Sequence, residues 1–179
     1  MHRNFKFTLR FLSCFVLILL MSPVQQARAQ MGSAIIYSDT ADAKAEIRTA
    51  LATAAREHKN VILDFGGNWC SDCQLLNIYF HDPSNAGVLQ SNYVLVDVNV
   101  GDYDRNLDIA QQYGIPLNKG VPALVVLDGH GRVLYAQRHG EFEKMSKLDT
   151  SVVMAFLEKW KPHAHAATPK SSVRTTSLR

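Results

Sequence analysis

Two cysteines separated by two residues are the side chains of this sequence most suited to chemistry. Cys70 and Cys73 stand in the stretch Trp69-Cys70-Ser71-Asp72-Cys73. A disulfide between cysteines this close in sequence closes too small a loop to brace a fold. If the two cysteines pair, we expect redox chemistry, in which a thiolate attacks a disulfide and forms a mixed-disulfide intermediate.

The same spacing occurs in metal sites, so a metal-binding interpretation stands beside the redox one. Zinc takes four ligands, and the chain has no second CxxC and no paired Cys/His set to complete such a site. A copper carrier is the other metal alternative, although no Met-rich or His-rich stretch surrounds the motif. We therefore expect no cofactor beyond a redox-active Cys70–Cys73 disulfide, with the copper carrier as a competing hypothesis.

The N-terminus has the three parts of a secretory signal peptide. Basic residues precede an apolar run from Phe11 to Met21, and a small-x-small cleavage site ends at Ala29. The run is about half of the roughly 20 residues that span a bilayer, which favours a cleaved peptide over a retained membrane helix. Cleavage would give a periplasmic or secreted protein that begins at Gln30. It would also remove Cys14 and leave the CxxC pair as the only thiols in an oxidising compartment.

Charge and composition divide the rest of the chain into a domain and a tail. Removing residues 1–29 takes away four basic residues and no acidic one, so the formal charge of +3 becomes −1. This balance gives no reason to expect a nucleic-acid partner. Residues 162–179 carry three basic residues and no acidic one, which is typical of a disordered basic tail. Residues 30–161 suffice for one domain with its own core.

The elements that position the cysteines are a helix, a buried strand and a second helix. Apolar residues at helical spacing predict a helix from about Asp39 to His58, with Asp39 or Thr40 as its cap. The β-favouring run 61–65 indicates a strand buried on both faces. Helical spacing resumes behind the motif. We therefore expect the cysteines at a strand-to-helix turn, where unpaired N–H groups favour an ionised Cys70.

The second half of the domain predicts three more strands and three more helices. The turn at 128–131 is short enough to require an antiparallel hairpin, whereas strands separated by helices require parallel crossovers. The expected fold is α/β, with a mixed central sheet flanked by helices and a C-terminal hairpin plus helix. The expected elements are a short helix from Asp82, a strand over 93–100, a helix over 104–113 ended by Gly114, strands over 123–127 and 132–136, and a terminal helix through Trp160.

Distinctive residues recur along the domain: Leu63-Asp64-Phe65, the two glycines that follow, Asn68, the motif at 69–73, the segment Phe80-His81-Asp82-Pro83 and Gly120-Val121-Pro122-Ala123. In these residues the chain resembles the thioredoxin superfamily. The resemblance extends from about residue 60 into the terminal helix, and it implies a thioredoxin-like fold. Within the superfamily the chain is most similar to exported thioredoxin-like proteins and to the periplasmic thioredoxin-like domain of the transmembrane thiol:disulfide electron transporter.

The resemblance implies a role for five residues. Cys70 matches the attacking cysteine, and Cys73 matches the resolving cysteine that closes the disulfide. Pro122 matches a cis-proline that lies against the disulfide and offers backbone groups to a bound substrate strand. Trp69 matches an aromatic residue that shields the motif, and Asp64 matches a buried acid that manages the proton of the resolving thiol.

Three of these residues also have purely structural interpretations. For Asp64 the alternative is a carboxylate hydrogen-bonded to the backbone, although the cost of an unpaired acid in an apolar strand favours proton handling. For Pro122 it is a trans proline in an edge strand. For Trp69 it is plain packing.

The chain departs from the family pattern at three points. Ser71-Asp72 stands between the cysteines, Gln74 replaces a frequent lysine, and residues 116–119 lengthen the approach to the cis-proline. A carboxylate at Asp72 beside the developing thiolate should raise the pKa of Cys70, whereas strong oxidants stabilise their thiolate. We therefore predict a reductant or a weak oxidant.

The predicted function is an exported thiol–disulfide oxidoreductase that reduces protein disulfides as a monomer, with a membrane protein as a possible electron donor. Isomerase activity is less expected, because isomerases of this compartment usually carry a second domain for dimerisation. The competing hypothesis is a thioredoxin-fold copper carrier or partner-binding module that uses the same CxxC. A third hypothesis, a fold whose cysteines idle as a disulfide, predicts slow exchange with glutathione.

Overall fold

β1 (Asn60–Gly66) is a strand in which every residue is buried. The structure is a computed structural model that describes residues 35–163. The expected signal peptide (1–29) with Cys14 lies outside these residues, as does nearly all of the expected tail (162–179). The order of helices and strands is the predicted one. The other elements are α1 (Ala43–Glu57), α2 (Ser71–Phe80), α3 (Pro83–Asn92), β2 (Tyr93–Asn99), α4 (Leu107–Tyr113), β3 (Ala123–Leu127), β4 (Val133–Ala136) and α5 (Thr150–Trp160), with 3₁₀ turns at Leu117–Lys119 and Met145–Lys147.

The four strands form one mixed sheet in the order β2-β1-β3-β4. β1 and β2 are parallel, and their register runs from Asn60 opposite Tyr93 to Gly66 opposite Asn99. β3 is antiparallel to β1, and β4 is antiparallel to β3. Helices connect the two parallel strands, whereas a short turn connects β3 to β4. The predicted α/β fold with a mixed sheet and a C-terminal hairpin is therefore confirmed.

Helices cover both faces of this sheet. One apolar cluster joins α1 and α4 to the sheet, and the other joins α2, α3 and α5 to it. Because side chains alternate along a strand, Leu63 of β1 enters the first cluster and Ile62 enters the second. Burial of both faces explains why this strand is almost continuously apolar, with Asp64 as an acid placed in the interior. None of the helices within residues 35–163 is long and apolar enough to cross a membrane.

α1 begins later than the sequence predicts. Its N-cap is Asp42, which accepts a hydrogen bond from the backbone N–H of Ala45 at 3.1 Å, and neither Asp39 nor Thr40 caps the helix. The hydroxyl of Ser38 accepts from the backbone N–H of Thr40 at 3.2 Å. This local turn satisfies the backbone before Asp42 and keeps it out of the helix.

α4 also begins later than the predicted Asp104. The backbone N–H of Asp104 donates to the carbonyl of Val100 at 3.1 Å, which closes a turn, and Asn106 then adopts a left-handed φ of 52°. A right-handed helix does not continue through a left-handed residue, so the helix begins at Leu107. Its end agrees with the prediction, because Gly114 caps it with a φ of 67°.

Candidate active site

The first turn of α2 carries both cysteines. Cys70 is the N-cap of this helix, and the backbone N–H of Cys73 donates to the Cys70 Sγ atom at 3.0 Å. A turn in which Cys70 N–H donates to the Gly67 carbonyl at 3.0 Å precedes the helix. The two Cα atoms lie 5.2 Å apart, and the sulfurs form a disulfide. In the reduced protein, the same N–H and the positive end of the helix would stabilise a Cys70 thiolate.

Exposure distinguishes the two cysteines. Cys70 keeps 6% of its surface exposed, whereas Cys73 keeps none. Cys70 is therefore the more accessible residue of the two, and the attacking and resolving roles that the resemblance implies stay predictions. Within residues 35–163, no group of three or more His, Cys, Asp or Glu side chains is arranged to hold a metal ion.

The loop that leads into β3 lies against the disulfide. The Cys70 Sγ atom is 3.6 Å from the carbonyl oxygen of Val121, and the Val121–Pro122 peptide bond is cis. Pro122 is buried and precedes a strand that has neighbours on both sides, so the alternative of a trans edge-strand proline is wrong. This arrangement brings the segment Val121–Pro122 against the sulfur expected to attack.

Gln137, which follows β4, holds this loop in place. Its side chain donates to the carbonyl of Pro122 at 3.1 Å and accepts from the backbone N–H of Leu124 at 3.3 Å. Its own backbone N–H donates to the carbonyl of Leu124 at 2.9 Å. The side chain is almost fully buried, and both ends of its amide are satisfied. Sequence analysis missed this residue, because no local pattern marks contacts to partners 13 and 15 residues away.

Asp64 is an acid buried inside β1, with 1% of its surface exposed. Its Oδ2 atom accepts a hydrogen bond from the Tyr37 hydroxyl at 2.9 Å, and its Oδ1 atom has no partner. Burial raises the pKa of Asp64 well above its ordinary value, the nearby Asp97 raises it further, and the Tyr37 hydrogen bond opposes both. The partner of this carboxyl is thus a hydroxyl and not the backbone. A carboxyl that resists ionisation is suited to exchanging a proton with a thiol.

Tyr37 reaches Asp64 because the segment before α1 is tied to the loop before the cysteines. The Asn68 side chain accepts from the backbone N–H of Ile36 at 2.9 Å and of Tyr37 at 3.0 Å, and it donates to the Tyr37 carbonyl at 2.7 Å. Tyr37 itself is fully buried, and its ring occupies the space where a side chain on Gly66 would lie. Burial raises the pKa of the Tyr37 hydroxyl, so it remains a hydrogen-bond donor.

Asp97 of β2 lies directly opposite Asp64 in the parallel register. Neighbouring strands are about 4.8 Å apart and paired residues point to the same face, so the two carboxyls are neighbours. Asp97 is partly exposed, but its Oδ1 atom is buried without a partner. Burial raises the pKa of Asp97 to about 6. The charge of Glu46 also raises this pKa, and the charge of His81 lowers it. Sequence analysis missed Asp97, although an acid in each of two adjacent apolar strands was a usable signal.

Trp69 lies on the outer side of the same loop. Its ring is 52% exposed, its Nε1–H donates to the Gly101 carbonyl at 2.8 Å, and its centroid is 5.5 Å from that of Tyr103. The ring also covers Gly67, where an added Cβ would lie 2.6 Å from Nε1. Trp69 therefore packs over the loop next to Cys70 and leaves half of its surface available to a partner.

Asp72 lies in the first turn of α2, between the cysteines. Its carboxylate accepts a hydrogen bond from the backbone N–H of Ser146 at 2.9 Å, which ties the start of this helix to the 3₁₀ turn at Met145–Lys147. Sequence analysis did not foresee this contact. The effect of the Asp72 charge on Cys70 stays a prediction.

The comparisons with known proteins agree with this geometry. A family model described as Thioredoxin-like matches residues 42–129, a span that includes Asp64, both cysteines and Pro122. Among solved structures, the chain is similar to a disulphide isomerase from Xylella fastidiosa Temecula1, with 34% sequence identity and a TM-score of 0.68. That match covers 72% of this chain and 98% of the other.

Two further relatives match over shorter segments. The chain is 25% identical over 114 residues to the Thiol:disulfide interchange protein DsbD of Colwellia psychrerythraea, a match that covers 63% of this chain and 18% of the relative. It is 32% identical over 69 residues to the Thioredoxin H-type of Chlamydomonas reinhardtii, which covers 38% of this chain and 58% of the relative. The matches thus span less than two thirds of the length of either relative. The chain belongs to the thioredoxin-like family of thiol–disulfide oxidoreductases.

Proposed function

We propose that this protein is an exported oxidoreductase that reduces the disulfides of other proteins through Cys70 and Cys73. One observation carries the proposal: the Cys70 sulfur accepts the Cys73 backbone N–H at the start of α2 and lies 3.6 Å from the carbonyl of Val121. The first contact stabilises negative charge on the sulfur, and the second places it beside the buried segment Val121–Pro122.

The first half of the reaction is an attack by the Cys70 thiolate on a substrate disulfide. A bond forms between the Cys70 sulfur and one substrate sulfur, while the substrate disulfide breaks and its second sulfur leaves as a thiolate. That thiolate takes a proton from water. The backbone near Pro122 is placed to position the substrate chain during this step.

The second half closes the disulfide of the enzyme. Cys73 gives its proton to Asp64, and the resulting thiolate attacks the Cys70 sulfur of the mixed disulfide. The bond between the Cys70 sulfur and the substrate sulfur breaks, and this remaining substrate sulfur leaves as a thiolate and is protonated. Two enzyme thiols have then been oxidised and one substrate disulfide has been reduced to two thiols. A dithiol donor, which we propose to be a membrane protein, must then reduce the enzyme again.

Two features of the sequence support the finer parts of this proposal. The basic, apolar and small-residue segments of positions 1–29 support export, with Gln30 as the first residue of the mature protein. The carboxylate of Asp72 in the first turn of α2 supports a reductant, because negative charge near a thiolate disfavours it. N-terminal sequencing of protein recovered from outside the cytoplasm tests export, and a first residue other than Gln30 would relocate the cleavage site.

The central experiment is dithiol-dependent reduction of insulin by the mature protein. Cys70→Ser should abolish reduction, because no thiolate remains to attack. Cys73→Ser should leave the attack intact and accumulate mixed disulfides, because nothing resolves them. Thermal unfolding of each variant checks that it folds. Wild-type activity in Cys70→Ser would contradict the mechanism, and proteins captured on Cys73→Ser would identify the substrates.

Direction of electron flow needs a separate measurement. A glutathione redox titration of the mature protein should give a potential well below about −120 mV, the value of a strong periplasmic oxidant. A potential near that value would contradict the reductant. Reactivation of scrambled ribonuclease beside insulin reduction separates an isomerase, as one relative is named, from a reductase. Tight stoichiometric copper binding without insulin reduction would favour the copper carrier instead.

A further inference from the structure

Two neighbours of Asp64 act on its charge in opposite ways. The Tyr37 hydroxyl donates to its Oδ2 atom at 2.9 Å, which stabilises a negative charge there. Asp97 lies opposite it across the parallel strands and, when ionised, repels that charge. The Oδ1 atoms of both carboxyls are buried without a hydrogen-bond partner. Water therefore screens their interaction poorly.

Ionisable groups act on the pair from several elements of the described chain. Tyr37 meets Asp64 from the segment before α1, and Asp97 meets it from β2. Asp97 is acted on by His81, at the end of α2, and by Glu46, on α1. His81 attracts the charge of Asp97 when protonated, and the exposed Glu46 repels it. Glu46 and His81 are therefore suitable control positions.

We propose that Asp97 and Tyr37 are positioning residues that set, in opposite directions, the pH at which Asp64 accepts the proton of Cys73. The inference rests on the proposed function, in which Asp64 takes that proton. Tyr37 donates to Oδ2 whereas Oδ1 has no hydrogen-bond partner, so Oδ1 is the oxygen to which we assign the proton. The O–H bond forms at Oδ1 as the S–H bond of Cys73 breaks, and the sulfur keeps the electron pair with which it attacks Cys70.

Asp97 also connects the buried Asp64 carboxyl to solvent, so the proton taken from Cys73 can leave the site. Asp64 is 1% exposed, whereas Asp97 is partly exposed and lies beside it. A proton passed from one carboxyl to the other therefore reaches a group in contact with solvent. When Asp97 then releases the proton to solvent, both carboxyls return to the state they had before Cys73 gave up its proton.

The two neighbours predict shifts of opposite sign. In Asp97→Asn the repelling charge is gone, so Asp64 should ionise at lower pH than in the wild-type protein. In Tyr37→Phe the stabilising hydrogen bond is gone, so Asp64 should ionise at higher pH. Below the midpoint, each pH unit of displacement changes the ionised fraction about tenfold. We expect several-fold changes in the rate of the proton-dependent step at pH values below the wild-type midpoint, with convergence at pH values above it.

The test uses the reduced mature protein and dithiobis-nitrobenzoate in a single turnover. The first nitrothiobenzoate is released when Cys70 attacks, and the second is released when Cys73 resolves the mixed disulfide. The rate of the second release, followed against pH, reports transfer of the Cys73 proton. The ¹³C chemical shift of the Asp64 carboxyl carbon, titrated in the disulfide form, reports its ionisation without any turnover. Both midpoints should fall in Asp97→Asn and rise in Tyr37→Phe.

Three controls distinguish a specific effect from a general one. Glu46→Gln makes the same carboxylate-to-amide change at an exposed site and should move the midpoint less than Asp97→Asn does. His81→Gln should likewise have the smaller effect. In an Asp64→Asn background, neither Asp97→Asn nor Tyr37→Phe should shift the profile of the second release any further. A merely structural role for the two residues would not produce opposite displacements.

Unchanged midpoints, or displacements of the same sign in both variants, would overturn the inference. If Tyr37→Phe does not fold, the downward displacement in Asp97→Asn still decides it. The probe is a small disulfide, so both measurements remain available if the protein fails to reduce insulin. Failure of the proposed function and failure of this inference are therefore separate results.

Discussion

The loop between β1 and the cysteines has two sides that differ in burial and in hydrogen bonding. On the inner side, Tyr37, Asp64 and Asp97 lie in or next to the core, and both carboxyls keep a buried oxygen without a partner. On the outer side, Trp69 donates its hydrogen bond to Gly101 and leaves about half of its ring exposed. On the inner side, carboxyl oxygens without a hydrogen-bond partner can accept a proton. On the outer side, the exposed face of the Trp69 ring can contact another molecule.

In the proposed function, this difference separates two parts of one reaction. Moving a proton requires a titratable group screened from water, where neighbouring charges act strongly. Meeting a protein substrate requires exposed surface with its own polar groups already satisfied. The motif lies between the two, because Cys73 is fully buried while Cys70 is not. We therefore expect changes on the inner side to alter pH dependence and stability, and changes on the outer side to alter substrate binding.

Substitutions at two adjacent glycines should give the largest difference in the free energy of unfolding between the two sides of the loop. A methyl group on Gly66 would overlap the Tyr37 ring, which is fully buried and held by Asn68, so it cannot move aside. Overpacking together with the weakened Tyr37–Asp64 hydrogen bond should lower the free energy of unfolding in Gly66→Ala by about 3 kcal/mol. A methyl group on Gly67 meets the exposed Trp69 ring, which can rotate away, and Gly67→Ala should cost less than about 1 kcal/mol.

Urea unfolding of both variants at one pH measures this difference. Gly67→Ala is the matched control, because it makes the same chemical change one residue away. Equal losses in the two variants would mean that burial does not distinguish the two sides of the loop.

The sequence was sufficient to predict the features that depend on local pattern. The apolar run of β1, the glycines after it and the helical spacing behind Cys73 predicted a strand-to-helix turn at the motif, and this is what the structure has. The short turn after β3 predicted the hairpin. The starts of α1 and α4 were wrong because side-chain and backbone turns at Ser38 and Val100 outweigh helix propensity there.

The contacts around the site depend on distant residues, and no local pattern encodes them. The Tyr37 hydroxyl donates to Asp64, 27 residues away in sequence. The Asn68 side chain donates to the backbone carbonyl of Tyr37, 31 residues away. Asp97 becomes a neighbour of Asp64 only when the parallel register is fixed. Gln137 follows an edge strand, and nothing in the sequence shows that its amide bonds to the loop at Pro122 and not to water. Asp64, Asn68 and Pro122 could be found from the sequence, whereas Tyr37, Asp97 and Gln137 were missed.

The pH dependence of stability gives the second test of the inner side. Burial, and then the charge of Asp97, raise the pKa of Asp64 in the folded protein above its value in the unfolded chain. The folded state therefore holds a proton that the unfolded state has lost, and stability falls as pH rises through this window. In Asp64→Asn this contribution is absent. Relative to the variant, the wild-type protein should lose no more than about 1.4 kcal/mol per pH unit, starting near pH 4.

Urea unfolding of the wild-type protein and Asp64→Asn between about pH 5 and pH 8 measures this slope. Glu46→Gln, which removes an exposed carboxylate, should run parallel to the wild-type protein. A stability difference between wild type and Asp64→Asn that stays constant across this range would contradict a raised pKa at Asp64.

The smallest expected effects are on the outer side. Trp69→Phe keeps a ring beside Tyr103 but loses the hydrogen bond to the Gly101 carbonyl, which is 2.8 Å long and lies at an exposed site. Because water can replace that donor, the free energy of unfolding should fall by less than about 1 kcal/mol. Trp69→Ala removes the ring surface and should raise the KM for insulin several-fold. Neither variant should move the pH midpoint of the second nitrothiobenzoate release. A displacement as large as that of Asp97→Asn would mean that the two sides of the loop do not act separately.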